Sequence, residues 1–148
     1  MALTLDSTTL QAVHVAMAAA STGGRATAAL SAVVSAIGTG YKFKGRRDGT
    51  VVLALTYSGS LPTSGTTIVV PSSFTTVTND AADIDSGTWT GRIESSDGSR
   101  YIEGTLGRSG TDFVLGADLD GTSTIVLSSI SLSFNSNLDP PTASLLSI

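Results

Sequence analysis

The chain has 148 residues, eight basic and twelve acidic side chains for a net charge of -4, and no cysteine. That is about one domain's length, and the missing cysteines exclude disulfides, thiolate zinc sites and cysteine nucleophiles. The acidic balance argues against nucleic acid as a partner, since affinity for phosphates comes mainly from Lys and Arg.

Few charged residues (14%) and few aromatics (5%), beside abundant Ser, Thr and Gly, point to many short strands and turns. The amino terminus, MALTLDSTTLQAVHVAMAAAS, lacks a basic n-region and carries Asp6 early, so it reads as mature protein rather than a signal peptide. Asp6 or Ser7 can cap a short helix whose apolar stripe is Leu10, Val13, His14 and Met17, ending at Gly23-Gly24. A second helix follows, with Ala26, Ala29, Leu30, Val33, Val34 and Ile37 on one face, and Gly38-Thr39-Gly40 stops it. Between Leu10 and Ile37 the apolar run is broken by Ser, Thr, two glycines and Arg25, short of the ~18 residues a membrane helix needs. The expectation is a soluble protein with no membrane partner.

After Gly40 the period becomes two. Tyr41 and Phe43 alternate with Lys42, Lys44 and Arg46, Asp48-Gly49 turns the chain, and Leu53, Leu55 and Tyr57 return on one face. GSLPTSGTT reads as a loop, Thr67 to Val70 as a short strand ended by Pro71, and Ser73 to Thr78 as another. The acidic loop NDAADIDSG leads into the surest local feature, a hairpin from Thr88 to Gly107 around Asp97-Gly98. Its parity sets Trp89, Gly91 and Ile93 against Ile102, Gly104 and Leu106 as a core patch. A turn at Arg108 to Thr111, a strand Asp112 to Leu115 and a polar connection Asp118 to Gly121 follow. In the last strand the inward parity slips at Ser128-Ser129, between Ile125/Leu127 and Ile130/Leu132/Phe134, for which a β-bulge is the economical explanation.

The expected fold is therefore mainly β: an antiparallel sandwich or barrel of about eight short strands. Residues 1–40 form an N-terminal helical segment, 41–134 the β core, and 135–148, with Pro140-Pro141, an extended C-terminal arm.

No residue set points to a reaction. His14, the only histidine, lies on an apolar helix stripe, and no G-x-S-x-G elbow occurs among the many serines. Asp83, Asp85 and Glu94 match positions one, three and twelve of a calcium loop, but position six is Thr88 where Gly is needed. Glu94 and Glu103 could pair for acid and base work, yet on a hairpin they read as exposed surface. Gly104, Gly107 and Gly110 precede no helix and so read as strand and turn glycines. No metal, cofactor or catalytic residue is assigned. What stands out is a basic strip, Lys42, Lys44, Arg46 and Arg47, on an acidic protein, together with Leu145, Leu146 and Ile148 at the terminus. The strip suits either a solvated edge or an acidic partner, and the apolar terminus suits an interface.

The segments ALSAVVSAIGTG, RRDGTVVLALTYSG, SGTWTGRIESSDG, GTLGRSGTDFVL and TIVLSSISLSF resemble small virion proteins of tailed bacteriophages and cover most of residues 26 to 134. The resemblance implies a non-enzymatic structural role. The protein would be a capsid cement or decoration protein bound to the major capsid protein or other virion subunits, homo-oligomeric and most simply trimeric. A neck, tail, baseplate or fibre accessory that binds a receptor or carbohydrate is the alternative, though only one Trp is present for stacking on sugar. A hydrolase is the remainder.

Overall fold

The computed structural model describes residues 3–69, 76–116, 118–121, 127–128 and 131–133. Its first organising contact is Asp6. The Asp6 backbone is extended while its carboxylate accepts the Thr9 N–H (3.0 Å), which starts α1 (Ser7–Ala19), and it also accepts the Tyr101 N–H (2.8 Å). One side chain thus caps the helix and fastens it to a strand 95 residues away. Helix α1 buries Leu10, Val13, His14 and Met17, the stripe read from their spacing. A 3-10 turn (Thr22–Gly24) leads into α2 (Arg25–Ile37), which buries Ala26, Ala29, Leu30, Val33 and Ile37 and ends at Gly38, at φ 72°. A positive φ there is cheap only for glycine. No described helix is long and apolar enough to cross a membrane.

The strands are β1 (Thr4–Leu5), β2 (Lys42–Arg47), β3 (Thr50–Thr56), β4 (Thr63–Ser64), β5 (Thr67–Val69), β6 (Thr76–Asn79), β7 (Trp89–Glu94), β8 (Tyr101–Gly107), β9 (Phe113–Leu115), β10 (Leu127–Ser128) and β11 (Ser131–Ser133). Among the described residues eight of them make one main sheet in the order β10-β9-β8-β7-β2-β3-β6, with β1 also on β8, and three make a small sheet, β11-β5-β4. The fold is mainly β with two N-terminal helices. Among the described residues the main sheet stays open between its β10 and β6 ends, so of the two expected architectures the barrel is not closed there.

A single core joins all the layers: Val13, Met17, Leu30, Val33 and Ile37 of the helices, Tyr41, Phe43, Leu53, Leu55, Ile93, Ile102 and Leu106 of the main sheet, and Ile68 of the small one. Both hairpins form as the turn residues predict. Asp48 (φ 49°) and Gly49 (φ 84°) are both left-handed, the two-residue turn whose twist matches its strands. In the hairpin of β7 and β8, Ile93 faces Ile102 and Gly91 faces Gly104.

That last pair belongs to a feature the parity pattern does not reveal. Gly45 is opposite Gly91, and Gly91 opposite Gly104, so three glycines form a row across β2, β7 and β8. A Cβ at Gly91 would lie 2.7 Å from the Phe113 ring and 3.0 Å from Phe43, and one at Gly45 3.1 Å from Leu106. The row is a trough in the inner face into which large side chains sink, with Phe43 and Phe113 meeting edge to face at 5.3 Å.

The trough also bears on the pairing of β9. The outer edge of β8 is shared: β1 pairs antiparallel with Ile102 and Glu103, and β9 pairs parallel with Leu106 and Gly107. Between them the Asp112 carboxylate accepts the Thr105 N–H (2.8 Å), replacing a strand partner for that group.

Two expectations are corrected. The stretch GSLPTSGTT is not wholly loop, because Thr63–Ser64 pairs with Thr67–Val69 around Gly65 at φ 60°. The parity slip near Ser128 is not one bulged strand: β10 pairs with β9 in the main sheet, while β11 pairs with β5 in the small one. The expected strand at Ser73 to Thr78 is present as β6 where it is described. The C-terminal arm, with Leu145, Leu146 and Ile148, lies outside the described residues.

Candidate interaction face

Because successive strand side chains point to opposite faces, the residues alternating with the core positions of β2, β7 and β8 form a second surface on the main sheet. Register brings Lys42 opposite Glu94, Lys44 opposite Arg92 and Arg46 opposite Thr90, then Arg92 opposite Glu103 and Glu94 opposite Tyr101. Four of the chain's eight basic side chains and two of its twelve acidic ones share this face, so it carries a surplus of positive charge on an acidic protein.

The charges are sorted into two groups. Glu103 takes Arg92 through its Nε (2.7 Å) and Nη2, while the Arg92 guanidinium carbon lies 3.9 Å above the Tyr101 ring centre. Glu94 takes Lys44, whose Nζ is 2.6 Å from one carboxylate oxygen, and Arg46 stands 3.8 Å from the other. Glu94 is buried, only 2% exposed at its side chain, beneath its two cations, whose side chains are 27% and 20% exposed. Its expected exposure is therefore corrected, and Glu103, 31% exposed, is half-buried. They are not a carboxylate pair: each holds its own cations. Long side chains over a sheet bury polar groups that parity alone assigns to solvent.

The basic strip itself is redrawn. Lys42, Lys44 and Arg46 share the face as their spacing predicts, with Lys42 making no ion pair among the described residues. Arg47 has the opposite parity, level with Trp89, and its Nη2 donates to the Ser86 hydroxyl. It fastens the acidic loop rather than extending the strip.

That loop is consolidated elsewhere too. The Asp48 carboxylate accepts the Thr88 N–H (2.9 Å), the Trp89 indole donates to the Ser86 carbonyl (2.8 Å), and Arg108 bridges Asp85 (3.2 Å) and Asp118 (2.8 Å). The Ile84 N–H and Arg108 hold the exposed Asp118 carboxyl below the usual carboxylate range. Asp83 accepts the Asp85 N–H (2.9 Å) in a local turn, while Glu94, the twelfth position of the calcium pattern, faces Lys44 instead. Among the described residues no three His, Asp or Glu side chains gather as a metal site.

An open groove of about 370 Å³ lies between the end of α2 and the β7–β8 turn, with Ile37, Gly38, Asp97 and Arg100 on its walls. Its carboxylate is spent on the turn: one oxygen of Asp97 accepts the Ser95 hydroxyl (2.6 Å), the Ser99 N–H (3.0 Å) and the Ser99 hydroxyl (2.8 Å). These bonds, the Ser95 hydroxyl first, hold Asp97 well below the usual carboxylate range. Trp89, Tyr41, Tyr57, Phe43 and Phe113 are buried. Tyr41 and Tyr57 stack at 4.7 Å, and burial pushes the Tyr41 hydroxyl up to about 12. None of these rings is open to a sugar face. Comparison of the chain with protein families, with curated proteins and with solved structures finds no match.

Proposed function

We propose that the protein is a non-enzymatic structural component of a tailed-phage virion. In this reading it is a cement or decoration protein that lays the charged face of its main sheet against acidic subunits of the shell, most simply the major capsid protein. The observation that carries the reading is the division of charge. A chain of net charge -4 collects both its lysines and two of its six arginines on one face of three paired strands, with only two carboxylates to balance them. A broad, cation-rich sheet face suits a broad acidic protein surface, and charge there sets orientation and encounter rate more than affinity. The segment resemblance supplies the kind of assembly, and the terminal Leu145, Leu146 and Ile148 supply apolar contacts for a homo-oligomer, a trimer by preference, or for the shell.

The test is co-sedimentation of the purified chain with undecorated heads over a salt series. Saturable binding that weakens with salt, and is lost when Lys42 and Arg46 are both changed to Ser, is the expected result. Lys44 is left intact because its removal would bare Glu94. Binding that ignores both salt and the two substitutions would overturn the docking face. Deleting residues 136–148 is expected to abolish head binding while leaving the thermal unfolding of the core in place.

A further inference from the structure

The four cations of the charged face do not have the same work. We infer that Lys44 and Arg92 are retained by the face's own carboxylates, whereas Lys42 and Arg46 are held in reserve for two separate carboxylates of an acidic protein partner. The inference rests on the docking reading above and specifies which residues perform it.

The charge of Glu94 is already balanced by Lys44 at 2.6 Å, and that of Glu103 by Arg92 through two nitrogens of the guanidinium. Arg46 is the late member of its cluster. It reaches Glu94 only at 3.8 Å, outside hydrogen-bond distance, and its Nη1 is buried with no hydrogen bond among the described residues. A guanidinium offers five N–H donors in a planar fork that fits a carboxylate two at a time. A donor withdrawn from water with no acceptor is a standing cost, and a short swing outward to a partner's carboxylate removes it. Lys44 keeps Glu94 neutralised when Arg46 departs, so the exchange leaves no bare buried charge. Lys42, unpaired among the described residues, is the second contact.

The spacing narrows the partner further. Lys42 and Arg46 are four residues apart on one strand, about 13 Å at the usual rise. An extended acidic segment or a flat protein surface with two acids at that separation would take both.

Two variants of equal net charge separate this account from general attraction. Lys44→Gln/Glu94→Gln removes the internal pair and leaves Arg46; Arg46→Gln/Asp80→Asn removes the reserved cation and keeps Lys44 on Glu94, the exposed Asp80 outside β2, β7 and β8 serving only to hold the net charge; neither leaves an unpaired Glu94. Binding of fluorescent poly-L-glutamate to the full chain would be measured at low salt by anisotropy, with melting temperature recorded for each variant. The first double variant is expected to bind within about twofold of the unaltered chain, and the second about tenfold more weakly, with Lys42→Gln about fivefold weaker. Equal affinities for the two double variants would overturn the division of duties while leaving the docking face standing. No binding of poly-L-glutamate by the unaltered chain would overturn both. Tighter binding of a single-stranded DNA of equal charge would overturn the carboxylate chemistry.

Discussion

The two faces of the main sheet are made by the same strands in the same register, yet they are built on opposite rules. On the inner face Gly91 and Gly45 leave out side chains so that Phe113, Phe43 and Leu106 can sink into the sheet, and Gly104, next in the row, makes room for Asp112 and Leu3. On the outer face long side chains are crowded together so that Glu94 is buried under Lys44 and Arg46. The inner face is a constraint of shape, intolerant of one added carbon. The outer face is a constraint of charge, indifferent to shape at Lys42 and intolerant of imbalance at Glu94. Within one sheet, core and interaction surface can therefore be told apart by what each position refuses.

The largest expected effect is on the inner face. Gly91→Ala drives a methyl to within 2.7 Å of the Phe113 ring, and overpacking of this kind costs about 3 kcal/mol. Chemical denaturation would show a lowered midpoint, and a wild-type midpoint would mean the trough is looser than the contacts indicate. On the outer face Lys44→Ala leaves Glu94 to the distant Arg46 and costs roughly 2 kcal/mol, while Lys42→Ala changes stability by less than about 0.5 kcal/mol. Equal losses at 42 and 44 would dissolve the distinction between retained and free cations.

Asp6 sits at the join of the helices and the sheet, and its effect is smaller and depends on pH. Burial raises its pKa, but the hydrogen bonds from Thr9 and Tyr101, with the charge of Arg100, outweigh burial and hold it below its ordinary 3.8. A pKa depressed by folding contributes stability above the unfolded value, and that contribution is lost as pH falls through the folded one. Asp6→Asn is therefore expected to cost about 1 kcal/mol at neutral pH, with the gap from wild type closing below about pH 4. Melting temperatures across that range check it, and a gap that widens in acid would show the sign to be wrong.

How much of this was legible in the sequence follows from how local each cause is. The Asp6 cap and the helix stripes, the Asp48-Gly49 and Asp97-Gly98 turns and the core parity of both hairpins depend on neighbours within a few residues, and the structure forms them as read, except that α1 ends at Ala19, short of the expected stop at Gly23-Gly24. The burial of Glu94 depends on which cations register brings over it, and the duty of Arg47 on a partner residue 39 positions away, although its opposite side follows from alternation alone. The glycine row was present as three isolated glycines and became a trough only when β2, β7 and β8 aligned. The slip at Ser128-Ser129 is visible in the sequence, but the pairing of β10 with β9 and of β11 with β5 in different sheets needs partners far along the chain. Of the candidate site, Lys42, Lys44 and Arg46 were legible from alternation. Their differing duties were not, because those are decided by the carboxylates across the strands.

The measurement that bears most directly on the account is an electron-microscopy map of the assembled particle, at a resolution that orients the main sheet. The account predicts the Lys42 and Arg46 side of the sheet against density of an acidic neighbouring subunit, with the helices α1 and α2 on the far side. A map with the helices against the shell and the charged face turned to solvent would contradict it.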